Sequence, residues 1–235
     1  MTRQTHDGTH DADGTERATP TTSRRGFVGG VAALVGAAGL GAAGTAAAQQ
    51  QEGPSDVDIL NFALTLEHLE NEFYIAQLDQ FSDRDFQRSD LLDEFGFGMR
   101  FSARDYLRTI QEHEQAHVDF LTTAIENAGG TPVTAATEYN FGAPLGKDGI
   151  DTVVEFAQVA EVLEATGVDA YAGAAPLIDN ASAYVPPALE IHSVEANHAA
   201  YLRNLNGKNP MPTGFNEAKS METVENAVAP IIVEG

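Results

Sequence analysis

The sequence predicts an all-α fold, namely a four-helix bundle with one long crossover between helices two and three. Four segments of the 235-residue chain carry apolar residues at a spacing of three to four, which gives each segment one buried helical stripe. The linker between the second and third segments, residues 129–149, is long enough to run the length of a bundle. The two halves of the chain also repeat one pattern of Glu, His and aromatic residues.

The composition limits what the protein can bind. It holds 35 Asp and Glu against 13 Lys and Arg, a net charge of -22 at pH 7. A surface this acidic repels phosphate groups, so nucleic acid is excluded as a partner. Because high ionic strength screens self-repulsion, the composition fits a salt-loving host. The chain has no cysteine, so any metal site must use carboxylate and imidazole ligands.

Residues 1–48 are predicted to be a leader that precedes the folded domain. Residues 1–22 are polar and should be disordered. The pair Arg24-Arg25 and the uncharged Gly/Ala run that follows resemble a twin-arginine export signal, with Ala46-Ala47-Ala48 as the cleavage site. The resemblance implies the twin-arginine export machinery as a partner, and a location outside the cell or on the outer face of the cytoplasmic membrane. An uncleaved membrane anchor over residues 26–48 and a cytoplasmic linker are the alternatives.

The first two helices are predicted over residues 56–80 and 101–127. The first contains no Pro or Gly, and the second ends at Gly129-Gly130, as helices commonly do. About twenty residues join them, which is long enough for a further short helix. The apolar stripe of the first helix consists of Ile59, Phe62, Leu66, Leu69 and Phe73.

The third and fourth helices are predicted over residues 151–172 and 188–205. The fourth is placed directly after Pro186-Pro187, because proline suits the first turn of a helix. The bundle domain therefore covers residues 49–207. The tail, residues 208–235, contains three prolines and one short periodic stretch near 218–227, and we expect it to pack over the end of the bundle.

Two Glu-x-x-His motifs lie on the second and fourth helices. They are Glu114 with His117 and Glu195 with His198. Residues three apart share one face of a helix, so the carboxylate and the imidazole of each motif can reach the same metal ion. Alone the motif is weak, because five histidines follow the leader and glutamate is abundant.

The internal repeat is the stronger signal. Glu67 is followed seven residues later by Tyr74, and Glu164 is followed seven residues later by Tyr171. The Glu-x-x-His motifs are each followed by an aromatic residue and a leucine at identical spacing. Each half thus offers one glutamate and then one Glu-x-x-His motif. A pseudo-two-fold bundle would direct four carboxylates and two imidazoles inward.

This ligand set predicts a centre for two metal ions. Di-iron and di-manganese carboxylate proteins use four carboxylates with two imidazoles. Carboxylate oxygen and imidazole suit Fe or Mn, whereas Zn normally takes fewer ligands, often with sulfur. Two divalent ions would also neutralise four carboxylates that are costly to bury alone. The predicted cofactor is two Fe ions, with two Mn ions as the alternative, and the predicted ligands are Glu67, Glu114, His117, Glu164, Glu195 and His198.

Neighbouring residues compete for two of these roles. Glu70 lies near the face of Glu67, and Glu161 lies near that of Glu164. The repeat favours Glu67 and Glu164, because the counterpart of Glu70 is Gly167 and that of Glu161 is a leucine. Three further histidines have no repeated partner and are expected at the surface: His68, His113 and His192.

Tyr74 and Tyr171 are the candidates for a catalytic role. As phenols near the predicted ligands they could hydrogen-bond the carboxylates or act as redox-active groups. Core packing with a satisfied hydroxyl is the alternative for both.

Three segments resemble the ferritin-like superfamily, in particular the ferritin-like-domain branch of desiccation-related proteins. They read LTLEHLENEFY over 64–74, EHEQAHVDFL over 112–121 and LEATGVDAY over 163–171, and the resemblance covers residues 56–206. It implies a bundle with a ferroxidase-type centre in which Glu114 or a nearby carboxylate bridges the metals. The expected function is iron and oxygen or peroxide chemistry in stress protection. The alternatives are manganese catalase-like peroxide disproportionation and a non-catalytic protective bundle with structural metals. Whether the centre turns over, and whether the chain forms a homo-oligomer, are left open.

Overall fold

The computed structural model of the protein describes residues 53–93 and 95–234. The predicted leader, its Arg24-Arg25 pair and the candidate anchor at 26–48 lie outside these residues, so they stay predictions. Across the described ranges, no helix combines the length and the apolar character that crossing a bilayer requires.

Four long helices form the bundle. They are α1 (Asp56–Gln80), α3 (Phe97–Asn127), α4 (Val153–Ala174) and α5 (Ala181–Leu205). A short helix, α2 (Asp83–Arg88), lies in the connection before α3. Helix α1 packs against α3, α4 packs against α5, and α1 also meets α4. The long connection falls between α3 and α4, so the predicted all-α bundle with a crossover between its second and third long helices is confirmed.

Equivalent caps begin α1 and α4. Ser55 accepts a hydrogen bond from the Asp58 backbone N–H at 3.2 Å, and the Asp58 carboxylate accepts one from the Ser55 N–H at 2.9 Å. Thr152 and Glu155 form the same reciprocal pair at the start of α4. Such capping boxes satisfy donors that the first helical turn leaves free. Each cap stands twelve residues before the glutamate that the repeat singles out, so both glutamates enter the bundle at the same level of their helices.

The beginning of α5 differs from the prediction. The helix begins at Ala181, seven residues earlier than expected, and Pro186 and Pro187 lie inside it. A proline removes the hydrogen bond from its own position to the carbonyl four residues before. Here those carbonyls belong to Ser182 and Ala183, which are exposed in the first turn, where water can replace the lost donors. Helix α3 likewise begins four residues before the predicted start.

The crossover and the tail are joined. Strand β1 (Glu138–Tyr139) in the crossover pairs antiparallel with strand β2 (Ile232–Glu234) in the tail. Between α5 and β2, helix α6 (Met221–Val228) packs against α4 and buries Val224 and Val228 in the main apolar core. The tail therefore ties the long connection to the bundle.

The predicted ligands lie in the middle of the bundle rather than at an end. Along α1 the buried residues Leu64 and Phe73 stand on either side of Glu67, and along α3 Ile110 and Leu121 stand on either side of the Glu-x-x-His motif. The polar cluster is thus enclosed by apolar side chains, which keeps bulk water away from it.

Candidate metal centre

One enclosed site collects all six predicted ligands. Helices α1 and α4 each contribute one glutamate, and α3 and α5 each contribute a glutamate and a histidine. The four glutamates are 0% exposed, and the two histidines are 8% and 4% exposed. The two imidazole ring centroids are 6.4 Å apart. The residues are Glu67, Glu114, His117, Glu164, Glu195 and His198.

The donors fall into two groups that share two members. In each group, one nitrogen or oxygen from every residue lies within 4.8 Å of the others. Glu114 and Glu195 belong to both groups, whereas Glu67 and Glu164 belong to one each. A carboxylate has two oxygens and can bridge two ions. Glu114 and Glu195 therefore lie where they could bridge two metal positions. These buried groups could therefore hold metal ions.

Both histidines turn the same ring nitrogen toward the carboxylates. Nδ1 of His117 lies 3.1 Å from Oε2 of Glu67 and 3.2 Å from Oε2 of Glu114. Nδ1 of His198 lies 3.0 Å from Oε1 of Glu114 and 3.2 Å from Oε2 of Glu164. The Nδ1 atoms are thus the imidazole donors that the site offers to a cation.

Several carboxylate oxygens at the centre lack hydrogen bonds. Within the described part of the chain, both oxygens of Glu195 and Oε1 of Glu114 are buried without a hydrogen-bond partner. Oε1 of Glu195 lies only 3.1 Å from Nδ1 of His117, but the contact does not have the geometry of a hydrogen bond. A buried ionised carboxylate without a donor is costly, and a bound cation removes that cost. The donor chemistry and these oxygens fit a metal centre.

Two tyrosines hold the outer glutamates in a reciprocal arrangement. Tyr74 on α1 donates its hydroxyl to Oε1 of Glu164 on α4 at 2.5 Å. Tyr171 on α4 donates to Oε1 of Glu67 on α1, also at 2.5 Å. In each glutamate the other oxygen faces an Nδ1 atom. The tyrosines therefore orient the carboxylates, which was one of the two roles expected for them at the site.

A third histidine supports the centre from outside. His113 lies at the surface as expected, yet its Nδ1 is 2.9 Å from Nε2 of His198, and the two rings stack with centroids 5.2 Å apart. An outer partner of this kind fixes the orientation of a ligating imidazole. The repeat gave no signal for His113, because its counterpart is Val194. The other two histidines, His68 and His192, are half-buried and join neither donor group.

The two competing glutamates have different surroundings. Glu161 is paired with Asn206 at 2.8 Å and with Lys208 at 2.9 Å, away from the centre. Glu70 is 2% exposed and faces Gly167, the residue whose presence argued against it in the sequence. Gly167 could have pointed to Glu70, because the glycine has no side chain and leaves the space that Glu70 occupies.

Burial and mutual repulsion raise the pKa values of carboxyl groups at the site. Burial, with the charge of Glu164, raises the pKa of Glu114 to about 7. Burial and the charge of Glu114 raise the pKa of Glu195 well above its ordinary value. For His117 burial alone would lower the pKa, but the hydrogen bonds with Glu114 and Glu67 outweigh it and raise the pKa to about 9. The pKa of His198 rises to about 10 for the corresponding reason.

These shifts link proton binding to stability. A group whose pKa is higher in the folded chain than in the unfolded chain stabilises the fold at low pH, and that contribution disappears as the pH rises through the folded pKa. The stabilisation by protonated Glu114 is lost between pH 4.5 and about pH 7, and that by protonated His117 between pH 6.5 and about pH 9. Metal ions need these groups deprotonated, so binding releases protons.

Comparison with known proteins agrees with the fold. A sequence model of the ferritin-like domain matches residues 55–208, which include all four long helices. The chain is also similar to Protein rds1 of Schizosaccharomyces pombe, with 27% identity over 180 residues. That match covers 76% of this chain and 39% of the relative, so the chain spans well under half of the relative's length. Because the family match covers more than half of the chain, the protein belongs to the ferritin-like domain family.

Proposed function

We propose that this protein is an exported ferritin-like protein whose centre binds two iron ions and carries out iron and oxygen or peroxide chemistry in stress protection. The observation that supports this most directly is the pair of donor groups that share Glu114 and Glu195. Two ions held by shared carboxylates are typical of di-metal centres in helical bundles.

The donors and their charge favour iron or manganese. Carboxylate oxygens with imidazole nitrogens suit Fe and Mn, and the chain has no thiolate to offer. Four buried carboxylates balance two divalent ions. When bound, iron would supply the redox chemistry with dioxygen or peroxide. Manganese fits the same donors, so the metal found in the purified protein decides between them.

The protein's own residues would hold and orient the ions. Glu114 and Glu195 would span the two positions, and Tyr74 and Tyr171 would keep the outer glutamates turned toward the histidines. Glu114 would give up its proton when an ion binds, since its pKa of about 7 lies near neutrality. The apolar core on both sides would exclude water from the reacting centre.

A small cavity favours dioxygen over peroxide as the oxidant. It measures about 30 Å³ and is lined by Tyr171 and by apolar residues that include Leu121 and Ile191. One lining residue, Phe120, is partly exposed, so the cavity lies close to the surface. Apolar cavities stay dry and take up apolar molecules. Dioxygen would therefore enter it more readily than peroxide, and it lies next to the tyrosine that orients Glu67.

The test is metal content and turnover. The protein is purified without oxygen, its Fe and Mn are measured, and Fe(II) oxidation and peroxide loss are followed. A Glu195→Gln variant removes one shared carboxylate, and Glu190→Gln, an exposed change on the same helix, is the matched control. About two ions per chain, with oxidation lost only in Glu195→Gln, are expected. Less than about one ion per chain would refute the proposal. Two ions without turnover would favour a structural role, and manganese with rapid peroxide loss a catalase-like one.

Export is proposed separately, on the Arg24-Arg25 signal. We expect a variant with lysine at both positions to remain inside the cells, because the twin-arginine machinery reads the arginine pair. Arg17→Lys, in the polar segment before the pair, is the control. The assay is cell fractionation followed by detection of the protein. Equal export of the double variant and the control would refute this route.

A further inference from the structure

A fifth buried carboxylate adjoins the candidate centre. Glu70 lies on α1, one helical turn after Glu67, and is 2% exposed. Its Oε2 atom is buried and has no hydrogen-bond partner among the described residues. An enclosed carboxylate oxygen without a donor calls for a cation or a proton. Like Glu195, Glu70 therefore has a buried oxygen that a cation or a proton would stabilise.

The position of Gly167 on α4 shows where Glu70 points. A Cβ atom built on Gly167 would lie 3.1 Å from Oε1 and 3.6 Å from Oε2 of Glu70, and 3.3 Å from Oε2 of Glu195. Both carboxylates thus border the same small space beside Gly167, although Glu70 itself belongs to neither donor group. Glu195 belongs to both donor groups. Glu70 therefore adjoins the part of the centre that both metal positions share.

Glu70 also breaks the two-fold repeat. In the repeat, Glu70 corresponds to Gly167 just as Glu67 corresponds to Glu164. A side chain at Gly167 would press on Glu70, so the space between α1 and α4 admits only one such carboxylate. The two predicted histidine ligands come from α3 and α5, whereas Glu70 comes from α1. Glu70 thus approaches the centre beside Gly167, where the repeat supplies no second carboxylate.

We propose that Glu70 is an additional carboxylate ligand of the metal centre. The ligand set then has five carboxylates and two imidazoles, and the two metal positions are unequal although the helices that build them repeat. This inference rests on the proposed function, since it requires that the centre binds metal. The inference can fail separately, because the six predicted ligands could bind metal without Glu70.

The test is a Co(II) titration in the absence of oxygen, in which binding is measured by calorimetry and by visible absorption. The absorption of Co(II) reports the number and kind of its ligands, independently of turnover. Glu70→Gln removes the charge and keeps the shape, whereas Glu70→Asp keeps the charge and shortens the reach by one methylene. Glu72→Gln, on the same helix and half-buried, is the matched control.

The wild type should bind about two Co(II) ions per chain. Both Glu70 variants should bind at least one of them about tenfold or more weakly and change the absorption spectrum, while Glu72→Gln should match the wild type. The metal-free Glu70→Gln protein should be no less stable in urea, because the change removes a carboxyl group whose pKa is raised by burial and by the charges of Glu164 and Glu114.

Three outcomes would overturn the inference. Unchanged affinity and spectrum in both variants would show that Glu70 is not a ligand, while leaving the proposed function intact. Weaker binding in Glu70→Gln alone would show that only its charge matters. A crystal structure of the Co(II)-loaded wild type, which does not depend on the variants folding, should place a Glu70 oxygen within about 2 Å of an ion, and a clearly longer distance would refute ligation. Failure of the wild type to bind Co(II) would instead refute the proposed function.

Discussion

The hydroxyl of Tyr171 offers a sharp test of how the outer glutamates are held. Replacing Tyr171 by phenylalanine deletes one oxygen atom and leaves the ring in place, so no cavity larger than that atom is created. The deleted hydroxyl is the donor to Oε1 of Glu67 at 2.5 Å, and both residues are buried. Glu67 would keep its place on α1 but lose the group that fixes its orientation.

The cost of this change can be worked from the contact. A hydrogen bond to a charged group contributes about 1.5–3 kcal/mol to the free energy of unfolding. Removing the donor of a buried acceptor therefore lowers that free energy by a similar amount. We therefore expect Tyr171→Phe to lower the free energy of unfolding of the metal-free protein by about 2 kcal/mol. Because partners that orient ligands contribute to binding, metal affinity should also fall by roughly tenfold to a hundredfold.

The assays are urea unfolding in the presence of a chelator and a Mn(II) titration. Tyr74→Phe, which removes the corresponding bond to Glu164, should behave in the same way because the two contacts have equal lengths. Tyr106→Phe is the control, since that side chain is half-exposed and surface changes usually stay within about 0.5 kcal/mol. If Tyr171→Phe matched this control in both assays, the hydroxyl would not be orienting Glu67 and the reasoning would be wrong.

Three further predictions follow from the geometry. The Tm of the metal-free protein should fall as the pH rises from about 6 to about 9, because protonated His117 stabilises the fold and loses its proton in that range. The pKa of about 9 corresponds to roughly 3 kcal/mol of stability that is lost. Thermal unfolding with and without Mn(II) should show the fall only without metal. His113→Ala should weaken Mn(II) binding about tenfold in calorimetry by freeing the ring of His198, with little change in urea unfolding because His113 is exposed; an unchanged affinity would count against its role. Gly173→Ala should loosen the tail, because the new methyl carbon would overlap the carbonyl oxygen of Lys219, and limited proteolysis should cut the tail faster than in the wild type. An equal cleavage rate would contradict that docking.

The sequence identified the parts of the fold that depend on periodic signals. Helix α1 has the predicted bounds because a capping box begins it and no Pro or Gly interrupts it. The six clustered side chains could be picked out because a repeat compares distant residues directly. The start of α5 could not, because the rule that places proline in a first turn does not reveal that exposed carbonyls beyond it can be solvated.

Other features left no periodic trace. Strands of two and three residues, such as β1 and β2, are too short for an alternating pattern, so their pairing was not predicted. His113 reaches the centre through one contact with a neighbouring helix, which spacing along its own helix does not show. Glu70 was set aside because its counterpart is Gly167, although the absence of a side chain there is what admits it.

The reciprocal tyrosine bonds mean that neither half of the chain is self-sufficient. Tyr74 serves the glutamate of the second half, and Tyr171 serves that of the first. A fragment that ends after α3 would hold a glutamate without its tyrosine and a tyrosine without its glutamate. Two copies of a single helical hairpin, paired about a common axis, would supply every one of these bonds. The centre thus has the construction of an internally duplicated dimer, and a separately expressed half should bind metal only when it is paired with another half, not as a single hairpin.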